Sequence, residues 1–384
     1  MTLLDKSKKV EHTKTRIAFV VRTVGLEYDD RIRKECLTLL KNDVDVFIYV
    51  NFSDNRKEEG MTSYGVPYRS FKLFSRDKLP QAKFLLVKAL EFYFKVNTFL
   101  NEYDLIWAHE EYTFVFPLLS KKNRCIWDLH EIPFRFEKTF MKPIFHYIER
   151  RSKKIIHANK HRIDYLESND IVKCRSKNVF INNFPDRKFL NSTEEDKEYK
   201  KFEIWLGSST YAYLQGLSVA RRYPLNTIEC IMQTPELKAV VIGEFDSNAY
   251  SSLMKKYGIQ LHEKIYFCGM VNQLAITNYL KSALFSIVLY ETSTPNNTYC
   301  EANRLYQSII LNIPVIVGCN PPMKEIISKY NFGLVLKGDG KNISELSKAT
   351  KSLIINHEKY LTSLKKNSFR VVWNDKCIDP SWYL

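Results

Sequence analysis

Residues 16–50, RIAFVVRTVGLEYDDRIRKECLTLLKNDVDVFIYV, contain the pattern that decides the fold. Their first part, RIAFVV (16–21), is a short, apolar and β-branched run, which predicts a buried parallel strand. A polar turn follows, and DDRIRKECLTLLKN (29–42) then has apolar residues at the spacing of one helix face. VDVFIYV (44–50) reads as a second strand, so the stretch predicts a β–loop–α–β unit of a doubly wound α/β sheet.

The rest of the first half continues this alternation. Further strands are predicted at DLIWA (104–108), RCIWD (124–128), KIIHA (154–158) and NVFI (178–181). Helical patterns lie between several of these runs. Residues 1–185 are therefore predicted to form one Rossmann-like domain.

The alternation restarts after NSTEEDKEYKKF (191–202), whose charged composition is typical of a linker. Strands are predicted at FEIWLG (202–207), KAVVIG (238–243), KIYFCG (264–269), ALFSIVLY (283–290), PVIVG (314–318) and FGLVL (332–336). Residues 186–368 are thus expected to form a second Rossmann-like domain, and residues 369–384 to pack back on the first. The predicted fold is α/β, with two doubly wound domains facing a central cleft and ligands bound beyond the carboxyl ends of the strands.

Length and composition agree with two globular domains in the cytoplasm. The chain has 384 residues, of which 45% are hydrophobic and 26% charged, and this length favours more than one domain. No apolar run is long enough to span a bilayer, and the opening residues 1–14 show no signal-peptide pattern. The eight cysteines are scattered, which predicts reduced thiols. No Gly-rich dinucleotide or P-loop motif occurs.

The net charge of +15 predicts an anionic partner. Residues 1–185 carry two thirds of this excess. Within them, residues 82–100 predict either a buried core helix or an interfacial helix with lysines that reach to the surface. Residues 135–154 interleave seven basic residues with aromatic ones, which favours contact with an anionic membrane surface. No nucleic-acid-binding motif is present, so we expect a peripheral protein at the inner face of a membrane.

Four segments together resemble glycosyltransferase family 4, the retaining GT-B enzymes that use nucleotide-sugar donors. The segments, in chain order, are YDDRIRKECLTLLKNDVDVFIYV, YDLIWAHEE with CIWDLHEIPFRF, KIIHANKHRIDYL with NVFINNFPD, and EANRLYQSIILNIPVIVG. The resemblance covers nearly the whole chain. It implies a GT-B fold and retaining transfer of a sugar to a glycan or lipid-linked acceptor in cell-surface polysaccharide or glycolipid assembly. It also implies that the nucleotide-sugar is a substrate and that no cofactor is needed.

His130 follows the predicted strand CIWD and therefore lies at a carboxyl end, where ligands bind. The resemblance implies that it lies beside the transferred sugar, with Asp128 and Glu131 as further catalytic residues. Glu131 can alternatively be a helix-start carboxylate. Glu110, in the segment AHEE, is expected to matter less than His130. The acceptor-side residues that the resemblance implies are Asp30 and Arg31.

Asn303 is predicted to be the N-cap of a helix that ends near Leu311. The first N–H groups of such a helix and its dipole form an anion site suited to a diphosphate, and Arg304 adds a cation. The alternative is an ordinary capped helix that packs on the next strand. The donor-site residues that the resemblance implies are Gly207, Tyr299, Glu301, Asn303, Arg304, Leu305 and Gln307.

Some positions depart from the family pattern. Tyr299 and Gln307 stand where many members carry two glutamates, and Glu301 lies two residues from the first of these. Gln307 can still hydrogen-bond ribose hydroxyls through its amide. Gln215 stands where a phosphate-binding lysine is expected, and the arginines 221–222 lie farther along the chain.

Two further function classes remain open at this point. A GT-B-like sugar-nucleotide epimerase would share the layout but need no acceptor. A non-catalytic binding subunit would explain the replacements Gln215 and Gln307. Asp43-Val44-Asp45 has the spacing of a metal-binding D-x-D motif but enters a strand, so we expect a metal-independent enzyme without a metal site.

Overall fold

The computed structural model describes residues 14–80 and 83–384. Residues 1–13, part of the opening stretch without a signal-peptide pattern, and residue 82, the first of the segment 82–100, lie outside this range. Among the described residues, no helix combines the length and the apolar character needed to cross a bilayer.

The contacts between residues divide the chain into two compact units. The first contains the described residues up to His157 together with Ile163–Ile181 and Asp375–Leu384, and the second contains Ala158–Arg162 and Asn182–Asn374. The long continuous part of the second unit begins at Asn182, near the expected boundary at 185. Of the C-terminal segment 369–384, only the part from Asp375 onward groups with the first unit.

The first unit is built on an eight-stranded sheet in the order β3-β4-β2-β1-β5-β6-β7-β8. Its strands are β1 (Arg16–Thr23), β2 (Asp45–Phe52), β3 (Glu59–Met61), β4 (Pro67–Ser70), β5 (Leu105–His109), β6 (Cys125–Leu129), β7 (Lys154–His157) and β8 (Asn178–Phe180). Its helices are α1 (Asp30–Lys41), α2 (Phe74–Lys78), α3 (Leu85–Asn97), α4 (Val115–Leu119) and α5 (Lys142–Arg151), together with the part of α6 (Lys160–Ser168) that starts at Ile163. All neighbouring strands pair in parallel except β3 with β4. Residues 17–21 are completely buried, which explains why this strand is uniformly apolar.

The second unit is built on a six-stranded parallel sheet in the order β11-β10-β9-β12-β13-β14. Its strands are β9 (Thr210–Gln215), β10 (Leu237–Ile242), β11 (Ile265–Gly269), β12 (Phe285–Val288), β13 (Val315–Val317) and β14 (Gly333–Val335). Its helices are α7 (Arg187–Leu190), α8 (Tyr199–Leu206), α9 (Pro224–Met232), α10 (Ser247–Tyr257), α11 (Gln260–Lys264), α12 (Ile276–Leu280), α13 (Pro295–Thr298), α14 (Asn303–Ile310), α15 (Pro321–Tyr330), α16 (Ile343–Ile355) and α17 (His357–Asn367). This is the strand order of a Rossmann sheet, and it confirms the predicted doubly wound α/β class.

One predicted strand is wrong. FEIWLG (202–207) forms the end of α8, and the first strand of this sheet is β9, eight residues later. Phe202, Trp205 and Leu206 all contact one hydrophobic core, and their i, i+3, i+4 spacing is that of a helix face. The predicted linker 191–202 therefore includes the beginning of α8.

Candidate active-site residues in the two units

The first candidate site lies where β5 and β6 end. His109 is the last residue of β5 and pairs in register with Asp128 of β6, and His130 follows β6 directly. Since carboxyl ends of parallel strands meet at one edge of the sheet, these three side chains come together. The Nδ1 atom of His109 lies 3.6 Å from Oδ2 of Asp128 and 3.3 Å from Nε2 of His130.

Arg31, in the first turn of α1, binds Asp128 with two hydrogen bonds. Its Nε and Nη2 donate to the two carboxylate oxygens at 3.0 and 2.7 Å, and Nη1 donates to the carbonyl of Ile181 at 3.0 Å. Burial alone would raise the pKa of Asp128, but the charges of Arg31 and His130 outweigh it and hold that pKa well below its usual value. A third group, Glu35, lies 3.1 Å from Nε of Arg31. Burial and the neighbouring Asp128 raise the pKa of Glu35 well above its usual value.

His130 is held by two carboxylates. Its Nδ1 lies 2.8 Å from Oε1 of Glu110, and its Nε2 lies 3.6 Å from Oδ2 of Asp128. Burial opposes the charge on the imidazole, yet Glu110 and Asp128 outweigh burial and raise the pKa of His130 well above its usual value. Burial lowers the pKa of His109 to about 3. His130 is therefore a cation, and its Nε2 donates to the neutral ring of His109.

Glu110 adopts a strained backbone conformation, with φ 71° and ψ 162°. Three hydrogen bonds hold it there: its N–H donates to the Asp128 carbonyl at 2.8 Å, and its own carbonyl accepts from Trp127 Nε1 and Thr113 Oγ1 at 3.0 Å. Non-glycine residues in such regions persist only where their surroundings determine them. The carboxylate of Glu110 is thus fixed as the partner of His130, a contact that the sequence analysis did not predict.

The other residues predicted for this site lie apart from the cluster. Glu131 is exposed. Asp30 forms ion pairs with Arg33 and Lys34 on its own helix, whereas Arg31 points into the cluster. Sequence reasoning missed His109 and Glu35, although the segment AHEE stands at a strand end like DLHE and could have indicated His109.

The ligand atoms of His109, Asp128 and His130 lie within 4.8 Å of one another, close enough to hold a metal ion. A ligating histidine must be unprotonated, whereas His130 carries its proton between two carboxylates. Asp128 is already bound by Arg31. The arrangement therefore fits a hydrogen-bonding cation at the edge of the sheet better than a metal centre.

The second candidate site is a cavity of about 510 Å³ in the second unit. It lies beyond the carboxyl end of β9, at the start of α14. Its lining residues are Gln215, Gly216, Arg222, Val271, Gln273, Ile276, Tyr290, Cys300, Glu301, Ala302, Asn303, Arg304 and Gln307. The carboxyl edge of a Rossmann sheet is where a nucleotide ligand binds.

Two arginines converge in this cavity. Arg304 is only 8% exposed, and its Nη1 donates to the Tyr290 hydroxyl at 3.1 Å. Nη1 of Arg222 donates to the Gly216 carbonyl at 2.8 Å, and both guanidinium groups lie over the Tyr290 ring. A Cβ at Gly216 would lie 2.7 Å from Nη1 of Arg222 and 2.8 Å from Nη1 of Arg304. Glycine, here at φ +73°, leaves room for both cations.

Neither arginine is neutralised by a carboxylate. Within residues 14–80 and 83–384, no acidic side chain forms an ion pair with Arg222 or Arg304. Nε of Arg304 is buried and has no hydrogen-bond partner. Because a buried unpaired cation is costly, the site is suited to an anionic ligand.

The bounds of β9 show which residues form the loop after the first strand of the second sheet. Since β9 ends at Gln215, the loop after the strand begins at Gly216 and contains Arg222. The sequence analysis took Gln215 as the position of an expected lysine, but Gln215 is the last residue of β9. Arg222 is a cation in the loop after β9 and lines the cavity.

The start of α14 differs from the prediction in one respect. Its N-cap is Ala302, no side chain caps it, and Asn303 is its first residue. The Oδ1 atom of Asn303 accepts from Asn183 Nδ2 at 2.7 Å. Glu301 accepts from Asn182 Nδ2 at 2.8 Å, and burial raises its pKa.

The cavity thus brings together some of the predicted donor residues and not others. Those that line it are Glu301, Asn303, Arg304 and Gln307. Leu305 is completely buried in the core. The carbonyl of Tyr299 accepts from Asn159 and Arg162, and Gly207 ends α8 before the amino end of β9. The last three residues do not line the cavity.

Comparison with known proteins identifies the overall architecture through solved structures, since the sequence searches found no match. No protein-family model matches the sequence, and no curated protein sequence matches it either. Among solved structures, sucrose-phosphate synthase from Thermosynechococcus elongatus matches 93% of this chain and 94% of its own, with a TM-score of 0.73 and 12% identity. HepE from Anabaena, in complex with UDP and glucose, matches 93% and 94% with a TM-score of 0.69 and 13% identity.

A third structure, WaaG, is described as a glycosyltransferase involved in lipopolysaccharide biosynthesis. It matches 92% of this chain and 95% of its own, with a TM-score of 0.62 and 11% identity. At these identities the likeness concerns the fold. The chain has the GT-B fold, as the sequence predicted.

Proposed function

We propose that this protein is a glycosyltransferase that moves a sugar from a nucleotide-sugar, with retention, to a glycan or lipid-linked acceptor. The observation that carries the proposal is the pair Arg222 and Arg304. Both guanidinium groups reach Gly216 at the carboxyl edge of a Rossmann-ordered sheet, and neither has a carboxylate partner among the described residues. A diphosphate would supply the missing negative charge.

The same pair explains how the leaving group would be stabilised. In the proposed reaction, the bond between the sugar C1 and the diphosphate oxygen breaks, and both electrons go to the diphosphate. The acceptor oxygen bonds to the same face of C1 and passes its proton to the departing diphosphate. Arg222, Arg304 and the uncapped start of α14 stabilise the charge that develops on that diphosphate.

Other residues of the cavity fit the rest of a donor. Gln307, on the second turn of α14, is largely buried and lines the cavity, so its amide can bind ribose hydroxyls as donor and acceptor. Glu301 lines the same cavity. The solved structures of HepE contain UDP or UDP-glucose, which makes uridine nucleotides the first donors to test.

We assign the cluster around His130 to the transferred sugar and the acceptor. His130 is the partly exposed member of that cluster, held by Glu110 and Asp128. As a cation with N–H donors, it can bind a sugar hydroxyl more strongly as negative charge develops nearby. Arg31 and Asp128 are then positioning residues, because they fix the edge of the sheet that carries His130.

A panel of nucleotide-sugars tests this proposal, since a ligand that binds only the folded state raises the melting temperature. We expect at least one nucleotide-sugar to stabilise the protein and to be hydrolysed slowly without acceptor. Interconversion of free nucleotide-sugars would instead indicate an epimerase. Binding without any turnover would indicate a non-catalytic subunit. Arg222→Gln should abolish the stabilisation, whereas Arg221→Gln, the same charge change on the exposed neighbour, should preserve it.

A further inference from the structure

The first unit exposes a group of large apolar side chains on α2 and α3 and on the residue before α3. We call this group the apolar ridge. It consists of Phe74, Phe84, Leu86, Val87 and Phe94, which are 68%, 55%, 52%, 48% and 64% exposed. Contiguous apolar side chains of this size on a surface mark an interaction site.

Helix α3 is apolar on both faces, and only one face is used by the fold. Ala89, Phe92 and Val96 are completely buried, so they form the face that packs on the unit. Lys88 is also buried and donates to the carbonyl of Pro80 at 2.5 Å. The helix therefore has a lysine inside and phenylalanine outside, and neither sequence-based expectation for residues 82–100 described it fully.

Helix α2 is fixed beside α3 by Glu91. Its carboxylate accepts from the backbone N–H groups of Phe74 and Ser75 at 2.7 and 2.8 Å. These bonds hold the backbone at the start of α2 beside α3, and the ring of Phe74 is exposed there. The apolar ridge is thus one surface formed by two helices.

Two exposed cations lie beside the ridge. Residues 72–98 contain six Lys or Arg and two acidic residues. Both acids are paired, Asp77 with Lys72 at 3.1 Å and Glu91 with Lys95 at 3.2 Å. Lys88 is buried, and Arg76 donates to groups of residues 51–53. The positive charge that remains at the surface is therefore that of Lys78 and Lys83.

The segment 135–154, expected to bind a membrane through its cations, contributes differently. The Nζ atoms of Lys153 and Lys154 donate to the carbonyls of Leu384 and Ser176, each at 2.8 Å. Arg151 donates to the Ser120 carbonyl. These cations are bound within the fold. The same region exposes Phe134, Phe140 and Tyr147, and α5 packs on α4, which packs on α3.

We propose that the apolar ridge docks on the surface of an anionic lipid bilayer, with Phe74, Phe84 and Phe94 inserted and Lys78 and Lys83 facing the headgroups. Exposed aromatic and aliphatic side chains beside unpaired cations are what such a surface binds. A second copy of the chain would place the same cations against one another, which is unfavourable. The inference rests on the proposed function, because docking brings the transferase to a lipid-linked acceptor.

Sedimentation of the full chain with vesicles tests the docking. The protein should bind vesicles that contain phosphatidylglycerol, bind pure phosphatidylcholine vesicles less, and lose binding at high salt. A triple ridge variant should weaken vesicle binding at least about tenfold; it combines Leu86→Ser, Val87→Ser and Phe94→Ser. Lys78→Gln and Lys83→Gln should weaken it about fivefold each. A control variant, Ile204→Ser, Ile259→Ser and Met270→Ser, changes apolar residues of the second unit that are even more exposed, and it should bind normally.

Three outcomes would overturn the docking. The first is a wild type that sediments with no vesicle. The second is a triple ridge variant that binds as the wild type does. The third is a wild-type dimer that the triple variant converts into a monomer in sedimentation velocity. The replaced side chains are already exposed, and a thermal melt verifies that the variant folds. A UDP-binding measurement distinguishes the membrane-docking proposal from the proposed glycosyltransferase function. The ridge variant should bind UDP normally, and a wild type that binds vesicles but no nucleotide would refute the proposed function alone.

Discussion

The two units use arginine in opposite ways. In the first unit, Arg31 is buried against Asp128 and Glu35, so its charge is neutralised by the protein itself. In the second, Arg222 and Arg304 meet a tyrosine ring, a hydroxyl and a carbonyl. The difference shows which arginine supports the structure and which ones are available to a ligand, although all three lie at the carboxyl edge of a sheet.

The largest expected effect tests the structural half of this comparison. Arg31→Leu should lower the free energy of unfolding by about 3–5 kcal/mol, because it leaves Asp128 as a buried charge without its main partner. Lys41→Leu, on the same helix, removes an exposed ion pair with Asp375 and should cost less than about 1 kcal/mol. Urea denaturation measures both. A loss below about 1 kcal/mol for Arg31→Leu would show that the pair does not support the fold.

A smaller effect is expected on the rate of sugar transfer when His130 of the first unit is replaced. His130→Ala should slow sugar transfer at least about a hundredfold, since a positioned proton donor or charge commonly contributes that much. Donor affinity should change little, because the contact tightens in the transition state. The matched control is His146→Ala, which removes a histidine of α5 outside the cluster. Full turnover by folded His130→Ala would remove this residue from the mechanism.

Glu110→Gln should change the pH dependence more than the maximum rate. Glu110 and Asp128 raise the pKa of His130, so removing one carboxylate lowers it. Protonated His130 is the active form here; activity is therefore complete at low pH and is lost as pH rises through this pKa. The alkaline limb of the pH–rate profile should move to lower pH in Glu110→Gln. Glu111→Gln, whose carboxylate pairs with Arg135, should leave the profile unchanged.

The stability that protonated His130 contributes should also decrease as pH rises. A group whose folded pKa is raised contributes stability below its unfolded pKa, and that contribution is lost as pH rises through the folded pKa. The wild type should therefore lose its advantage over His130→Gln as pH rises above the ordinary histidine range. Denaturation at a series of pH values tests this. A difference that grows with pH would contradict the assignment of His130 as a cation.

The sequence predicted the layers of the fold because buried parallel strands are apolar runs, as in residues 17–21. It failed at 202–207, where the aromatic face of a helix resembles a strand. Because of this error, the loop after the first strand of the second sheet was placed too early in the chain, before Arg222. His130 and Arg304 were found because each belongs to a recognisable segment. His109 was missed and Glu110 was ranked below His130, because their partners belong to the neighbouring strand and the residue after it, and neither segment alone shows how the strands pair.

Calorimetric titration with UDP is the most direct test of the claim that the unpaired arginines bind a diphosphate. Removing each arginine should cost about 1.5–3 kcal/mol, the contribution of a hydrogen bond to a charged group. Arg222→Gln and Arg304→Gln combined should therefore weaken UDP binding at least about a hundredfold, while Arg221→Gln binds normally and uridine binds all three proteins alike. A folded double variant that binds UDP as tightly as the wild type would contradict the account.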